Sequence, residues 1–486
     1  MKRTHIKNLK DQLGEEVIIK GWVDVARDQG KMAFFDFRDS TGKVQGVVFG
    51  KPEVLEIAKK LRPEWVVAVT GIINERNDKN AKEFIAEEAG TGLRDFFIKD
   101  VEVEITGFEV LNKAETPAFE ITESTQDTNE EVRLKNRYLD LRTERMQKNM
   151  RMRHKVAKLC RDYLDENNFL ELETPMLTKS TPEGARDYVV PARLSPHNFY
   201  ALPQSPQQYK QLLMSSGMER YFQFARCMRD EDLRGDRQPE FTQLDMEMSF
   251  VNEEDVMQVN EELLIKIVTE IYPEKRIQEV PFPRIPYAEA MDKYGNDRPD
   301  LREDKEDKNL LAFCWVTDWP FFEKTAHSDD PQAQGEWTFT HNPFSLSKPE
   351  HIENLKNKEN IADIMASQYD ICLNGYEIGG GSIRAHDPEV LRSILSILGH
   401  SDEKIDENFS HMFKAFASGT PPHGGIAWGF DRLMMILQNE KTIREVIAFP
   451  KNGEGREPMM ESPSPVSEQQ LNELHLELKP LKKESK

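Results

Sequence analysis

At 486 residues the chain has room for two to four domains, and its 38 % hydrophobic and 9 % aromatic content supplies the material for folded cores. A net charge of −21 excludes retention on nucleic acid or membrane by bulk charge, while leaving room for a nucleic-acid partner held by a local basic patch. There is no run of about 18 apolar residues, no signal-peptide pattern and no CxxC among the four cysteines, so we expect no membrane span, no secretion and no cysteine-based metal or disulfide framework; a cytoplasmic setting fits.

The first 110 residues read as all-β. Candidate strands are "VIIKGWVDVAR" from Val17, "MAFFDFRD" from Met32, "KVQGVVF" from Lys43, "WVVAVTGIINER" from Trp65 and "DVEVEITGFEVL" from Asp100. With turn glycines at Gly30, Gly42 and Gly71 they suit a small Greek-key barrel of the oligonucleotide-binding type; a sandwich fragment is the alternative that strand count leaves open. Asn112 to Val132 is polar and acidic and reads as a linker.

From Arg133 helices alternate with strands. A long helix is expected from about Glu144 to Asn167, then a short strand in "NNFLELETPML" ended by Pro175. The segment Phe224–Glu247, "FARCMRDEDLRGDRQPEFTQLDME", sets mixed charges between two strand-like runs. In the second run Thr242, Leu244, Met246, Met248 and Phe250 alternate with Gln243, Asp245, Glu247 and Ser249. A charged surface loop is the plain alternative. Yet a sheet face of mixed charge is costly to bury unless something polar lies on it, so this face suits a charged ligand. Helical runs follow near Asn252–Tyr272 and Lys348–Tyr369, then one Gly-rich strand, "YDICLNGYEIGGGSIR", then "PPHGGIAWGFDRLMMIL" and a short amphipathic segment carrying Leu471, Leu474 and Leu478. Cys160 completes a helical stripe with Val156, Leu159, Tyr163 and Leu164 and reads as core. The class is α+β.

Three arginines stand where a strand or helix is otherwise apolar: Arg229, Arg384 and Arg432. Each alone reads equally as a structural ion pair; together they point to a polyanion, because guanidinium grips phosphate and carboxylate through two parallel hydrogen bonds. No GxxxxGK[ST] or GxGxxG cradle is present, so phosphates would be clamped by arginines and metal. In "PQSPQQYKQLLM", Ser205 is placed to cap and Pro206 to open a helix with Gln207, Lys210 and Gln211 on one face; Tyr209, Leu212 and Leu213 face elsewhere.

"FLELETPML", "ARCMRDEDLRGDRQPEFTQLDME" and "GGIAWGFDRL" resemble, in order, the three signature motifs of the class II aminoacyl-tRNA synthetases. "RYLDLR" at Arg137, "STPEGARDY" at Ser180 and "QSPQQYKQL" at Ser205 narrow the resemblance to the bacterial aspartyl-tRNA synthetase family, over nearly the whole chain. The resemblance implies an anticodon-binding OB-fold barrel over residues 1–110, a linker over 111–135 and a catalytic antiparallel sheet with helices over 136–486, in a homodimer. It implies ATP-dependent activation of L-aspartate and transfer to the 3′ end of tRNA-Asp, or of both tRNA-Asp and tRNA-Asn in a non-discriminating enzyme.

By the same resemblance Arg229 would grip the α-phosphate of ATP, Phe241 would stack on adenine and Arg432 would meet the γ-phosphate, with Glu231 and Arg237 completing the ATP and acceptor-end contacts. Asp370 and Glu377 would hold Mg²⁺. Glu183 would take the α-ammonium of aspartate with Gln207 nearby, Lys210 and Arg384 would face its side-chain carboxylate as two cations on one anion, and His341 would lie on a closing loop. Gly379 to Gly381, beside Ser382, would let substrate approach the backbone. Arg27, Phe34 and Gln45 would contact the anticodon.

Three departures stand out. Asp24, Val25 and Ala26 follow "GWV" where relatives often carry an arginine run, and Val47 replaces a second stacking aromatic. Bacterial relatives insert a domain after a segment like "RPDLR"; here Arg298–Arg302 is followed within about ten residues by "FCWVTDWPFFE", so the insertion is absent near 300–312. Lys210 within "QSPQQYK" argues against sister synthetases for asparagine or lysine. The barrel argues against an asparagine synthetase built on the same catalytic fold. Arg229, Glu377, Arg384 and Arg432 argue against a non-catalytic paralogue.

Overall fold

The structure, a computed structural model, describes residues 2–76, 97–121, 124–180, 184–231, 233, 237–327 and 335–480. It divides into two compact units, Met1–Lys148 and Asn149–Lys486.

In the first unit, β1 (Glu16–Asp28), β2 (Met32–Asp39), β3 (Gly42–Phe49), β4 (Val66–Glu75) and β5 (Phe97–Asn112) close a barrel in the order β1-β2-β3-β5-β4. Closure decides the barrel against the sandwich, and β5 starts at Phe97 rather than near Asp100. The alternation of β2 sends Ala33, Phe35 and Phe37 into the core with Val23, Val44, Val69, Val103 and Ile105, and the Phe35 and Phe37 rings lie 5.7 Å apart. Helix α1 (Pro52–Ala58) adds Ala58. On the outer face Phe34 stands opposite Val47 of β3 and Arg27 of β1. A bulge in β1 between Val23 and Val25 frees Asp24 to pair with Arg38 and, at 2.8 Å, with Lys43, while Arg38 also reaches Glu64. The acidic residue that departs from the related pattern is thus a counter-ion for nearly buried cations.

In the second unit the labelled helices are α2 (Glu144–Glu166, which begins before the division), α3 (Gln207–Ser215), α4 (Glu253–Ile271), α5 (Pro388–Ile397), α6 (Asp402–Ala417) and α7 (Phe430–Leu437). The sheet strands are β6 (Leu170–Glu171), β7 (Arg220–Met228), β8 (Glu240–Ser249), β9 (Arg284–Pro286), β10 (Phe313–Pro320), β11 (Met365–Leu373), β12 (Tyr376–Ile383) and β13 (His423–Gly429). They form one eight-stranded sheet in the order β9-β10-β11-β12-β13-β8-β7-β6, antiparallel except for the pairs at its two edges. One face packs Leu244, Met246 and Met248 of β8 against the α2 stripe Met152, Val156, Leu159, Cys160 and Leu164, against Leu263, Leu264 and Ile267 of α4, and against Leu433 and Met434 of α7. The opposite face is polar and buried: Asp245 is 1 % exposed and Glu247 is sealed.

Four expectations are corrected. Residues Lys348–Tyr369 are not one helical run: only Ile352–Asn357 is α-helical, Lys358 and Asn360 adopt positive φ (57° and 49°), which ends it, and β11 begins at Met365. "YDICLNGYEIGGGSIR" is a hairpin and not one strand; Asn374 (φ 52°) and Gly375 (φ 87°) form the two-residue turn whose left-handed conformations match strand twist. Phe250 lies beyond the end of β8 at φ 60° and is 68 % exposed, so it is not part of the apolar face. Near the C-terminus the helix Glu468–Glu473 half-buries Leu471 and Leu474 but leaves Leu478 exposed.

Candidate active site

The polar sheet face is completed by α3. Gln207, Lys210, Gln211 and Met214 recur at helical spacing and are all buried, whereas Tyr209 turns away to bond Thr178 through its hydroxyl at 2.9 Å. Pro206 occupies the cap position, and Ser205 Oγ accepts the Gln207 N–H at 3.3 Å. Lys210 Nζ lies 2.7 Å from Asp245 Oδ1 and 3.1 Å from Glu247 Oε2. Arg384, one residue past β12, donates Nε to Glu247 Oε1 at 2.9 Å, Nη2 to Glu247 Oε2 at 3.1 Å and Nη1 to Ser382 Oγ at 2.8 Å.

The expectation that Lys210 and Arg384 face a ligand anion alone is therefore amended. Each already has a carboxylate partner, because two adjacent buried cations without counter-ions would cost several kcal/mol each. Burial works against the charge of Glu247, yet Arg384 and Lys210 hold its carboxyl down to about 2; burial pushes the Asp245 carboxyl up, partly offset by Lys210. The sequence displayed Asp245 and Glu247 on the polar face, but their partners come from α3 and β12, far away in the chain.

A second cluster lies on the β11–β12 hairpin. One ligand atom from each of His341, Asp370 and Glu377 lies within 4.8 Å of the others. His341 Nε2 is 3.1 Å from Asp370 Oδ2, and Gln368 Nε2 donates to Asp370 Oδ1 at 2.8 Å. Burial opposes a charge on His341, but Asp370 and then Glu377 raise its pKa to about 9; burial raises the Asp370 carboxyl, with His341 acting against it. The two carboxylates are the hard oxygen donors that Mg²⁺ takes, and the imidazolium stands beside them as a counter-cation. The room at Gly380 is used by the protein itself: a Cβ there would lie 2.7 Å from the His341 ring and 2.8 Å from Asp370 Oδ1. The reading of the Gly379–Gly381 run as space for substrate is thus corrected.

Arg432 on α7 donates Nη1 to the Glu377 carbonyl and is 4.0 Å from Glu377 Oε2. The Arg229 guanidinium lies 5.2 Å from the centroid of the Phe241 ring. Arg237 and Glu231 pair at 3.3 Å near the surface. Glu183 lies outside the described residues. Residues Arg229, Phe241, Glu377, Arg432, Lys210 and Arg384 are thus carried by β7, β8, β12, α7 and α3 or their ends, all on or beside one sheet. In the barrel, Arg27 pairs with Asp36 at 2.9 Å, opposite Gln45 in the β2–β3 register and next to the Phe34–Val47 pair. This brings Arg27, Phe34 and Gln45 to one outer face.

Sequence reasoning missed His423, and it placed Gln211 on the face shared with Gln207 and Lys210 without giving it a role. His423 is sealed on β13, and Gln211 Nε2 lies 3.1 Å from its Nε2. The signal for Gln211 was its spacing from Gln207 and Lys210 on one helical face.

A sequence profile described as tRNA synthetases class II (D, K and N) matches residues 129–453, and an OB-fold nucleic acid binding domain profile matches 17–111. A protein of Natranaerobius thermophilus named aspartate–tRNA(Asp/Asn) ligase is 38 % identical, covering 98 % of this chain and 99 % of its own length. One of Macrococcus caseolyticus named aspartate–tRNA ligase is also 38 % identical, over 96 % of each chain. The first alignment spans 603 positions against 486 residues here, so at least 117 of them have no counterpart in this chain. Among solved structures, asparaginyl-tRNA synthetase from Pyrococcus horikoshii with asparaginyl-adenylate superposes with TM-score 0.71 at 22 % identity, over 93 % of this chain and 98 % of that one. Aspartyl tRNA synthetase from Entamoeba histolytica superposes with TM-score 0.70 at 22 % identity, over 93 % and 92 %. At that identity the superpositions speak to the fold.

Proposed function

The chain belongs to the aspartate–tRNA ligase family of class II aminoacyl-tRNA synthetases, and from that membership we propose how its residues divide the work of activating L-aspartate with ATP and charging tRNA-Asp. The observation that carries the substrate assignment is the pair Lys210 and Arg384, each 2 % exposed and each matched to a carboxylate. These two cations would take the side-chain carboxylate of aspartate. The neutral amide of asparagine forgoes the charge-assisted hydrogen bonds that these two donors make to a carboxylate, a difference that supports discrimination of about 10⁴.

On this reading Glu183 and Gln207 receive the α-ammonium, and His341 closes over the substrate. Arg229 binds the α-phosphate and stabilises the charge that builds there as the aspartate α-carboxylate attacks in line, releasing pyrophosphate. Phe241 carries adenine, Arg432 the γ-phosphate, and Glu231 with Arg237 the remaining ATP and acceptor-end contacts. Asp370 and Glu377 would hold Mg²⁺, which when bound neutralises phosphate charge. The terminal ribose hydroxyl of tRNA then attacks the activated carbonyl and releases AMP. Positioning and charge stabilisation supply most of the acceleration.

We assign residues 1–110 to anticodon binding through Arg27, Phe34 and Gln45, residues 111–135 to the linker and 136–486 to catalysis, with most of the unmatched alignment positions falling near 300–312. We assign a cytoplasmic setting, supported by four free, buried cysteines. No helix among the described residues is long and apolar enough to cross a membrane. We also assign a homodimer: edge strand β6 and the segment after it expose Leu170, Met176 and Leu177, an apolar edge suited to a second copy.

The test is plateau charging with labelled aspartate on tRNA-Asp and tRNA-Asn transcripts in parallel. Charging of tRNA-Asp supports the reading, with charging of tRNA-Asn separating a relaxed from a strict enzyme; failure on both overturns it.

A further inference from the structure

Beneath the substrate face runs a line of three buried side chains. His423 is sealed and Gln211 is sealed, while Gln207 is 4 % exposed. His423 Nδ1 lies 2.8 Å from the Pro421 carbonyl, His423 Nε2 lies 3.1 Å from Gln211 Nε2, and Gln207 Nε2 donates to Gln211 Oε1 at 3.0 Å.

The polarity of this line is fixed at one end. A carbonyl oxygen can only accept, so His423 Nδ1 carries the hydrogen and donates. Burial holds the imidazole down at about 4, so the ring is neutral and Nε2 is left as an acceptor. Gln211 must therefore present its NH₂ to His423 and its carbonyl to Gln207, and Gln207 must spend its NH₂ on that carbonyl. What remains is Gln207 Oε1, to which no described residue donates a hydrogen bond.

We propose that His423 and Gln211 are positioning residues: they lock the Gln207 amide so that its carbonyl oxygen, and never its NH₂, meets the α-ammonium of the amino-acid substrate. This rests on the proposed aspartate site. An amide free to turn would offer a donor to a cationic group for part of the time, which repels it. The relay therefore acts on recognition of the amino group and not on the carboxylates held by Lys210 and Arg384.

Succinate separates these two contributions, since it has both carboxylates of aspartate and no amino group. In ATP–pyrophosphate exchange, Gln211→Met is expected to raise the KM for aspartate about tenfold, the scale of one hydrogen bond to a charged group. The inhibition constant of succinate and the KM for ATP should stay within about twofold. His423→Phe should reproduce this pattern. His423→Gln, which keeps an acceptor near Nε2, should restore most of the affinity. Should these variants fold poorly, long-range ¹⁵N spectra of the unaltered protein read the relay directly: the ring of His423, assigned through its neighbour Phe416, must be a neutral Nδ1–H tautomer at neutral pH. Equal losses for aspartate and succinate, an unchanged aspartate KM, or a His423 ring protonated on Nε2 would each overturn the proposal. No aspartate-dependent exchange in the unaltered protein would instead sink the proposed function, and the relay with it.

Discussion

Lys210 Nζ and Glu247 Oε2 stand 3.1 Å apart, one on a helix and one on the central sheet, each at most 2 % exposed. The ammonium is shared with Asp245 at 2.7 Å, and Arg384 closes the set from the other side of Glu247. Two cations and two carboxylates thus lie on one buried surface with no net charge. In the proposed aspartate site such a set would present an arriving carboxylate with two donors already held in place, so little reorganisation would accompany binding.

Removing one member leaves the others uncompensated. Lys210→Met is expected to lower kcat/KM for aspartate in ATP–pyrophosphate exchange by about 10³-fold or more and to destabilise the fold by about 3–5 kcal/mol. Denaturant titration alongside the exchange assay checks both. Loss of activity without loss of stability would mean that Asp245 and Glu247 do not depend on the ammonium.

Glu247 also predicts a pH dependence. Its folded pKa, about 2, lies below the unfolded value of about 4.3, so its contribution is present above the unfolded value and lost as pH falls toward 2. The contribution is about 3 kcal/mol. Asp245 works in the opposite sense, since its raised carboxyl costs stability at neutral pH and that cost is relieved on acidification. Comparing denaturant stability of the unaltered protein with Glu247→Gln from pH 5 to pH 2.5 isolates the first effect: the gap should shrink as pH falls. A gap independent of pH would show that Glu247 titrates normally.

The anticodon reading predicts a clean separation of steps. Phe34→Ala removes a stacking ring from the outer barrel face while leaving the inward Phe35 and Phe37 in place. It is expected to raise the KM for tRNA-Asp about tenfold to a hundredfold, the scale of one lost base stack, with ATP–pyrophosphate exchange unchanged. A change in exchange would place the residue outside pure anticodon recognition.

How much of this was legible in the sequence follows the range of the interactions. The alternation of β8 and the barrel strands, the α2 stripe with Cys160 and the Gln207–Lys210–Gln211 face are local patterns, and the structure shows them at nearly the expected bounds. The Asn374–Gly375 turn is local too, and its Asn-Gly pair is a strong hairpin signal that the reading of the Gly-rich run as one strand overlooked. The run from Lys348 failed because Lys358 and Asn360 take left-handed conformations that a non-glycine side chain does not advertise. What no local pattern could supply was partnership: Lys210 meets Asp245 35 positions away, Arg384 meets Glu247 across 137, and His423 meets Gln211 across 212.

The histidine beside the carboxylate pair gives the last prediction. His341 keeps a pKa of about 9 because Asp370, 3.1 Å away, and Glu377 outweigh its burial. Asp370→Asn removes the nearer charge, so the His341 pKa should fall below 9 toward or past the ordinary 6.5, as read by histidine ¹H–¹³C shifts against pH. The same substitution removes one of the two oxygen donors proposed for Mg²⁺, so half-maximal ATP–pyrophosphate exchange should need about tenfold more Mg²⁺ or greater. The two readouts are independent. If the histidine shifts while the Mg²⁺ requirement stays constant, Asp370 is a counter-ion for His341 and the ion is held elsewhere. If the requirement rises while the histidine keeps its pKa, Glu377 alone sustains the imidazolium. Both moving together is the result expected of a carboxylate that serves imidazolium and metal in turn.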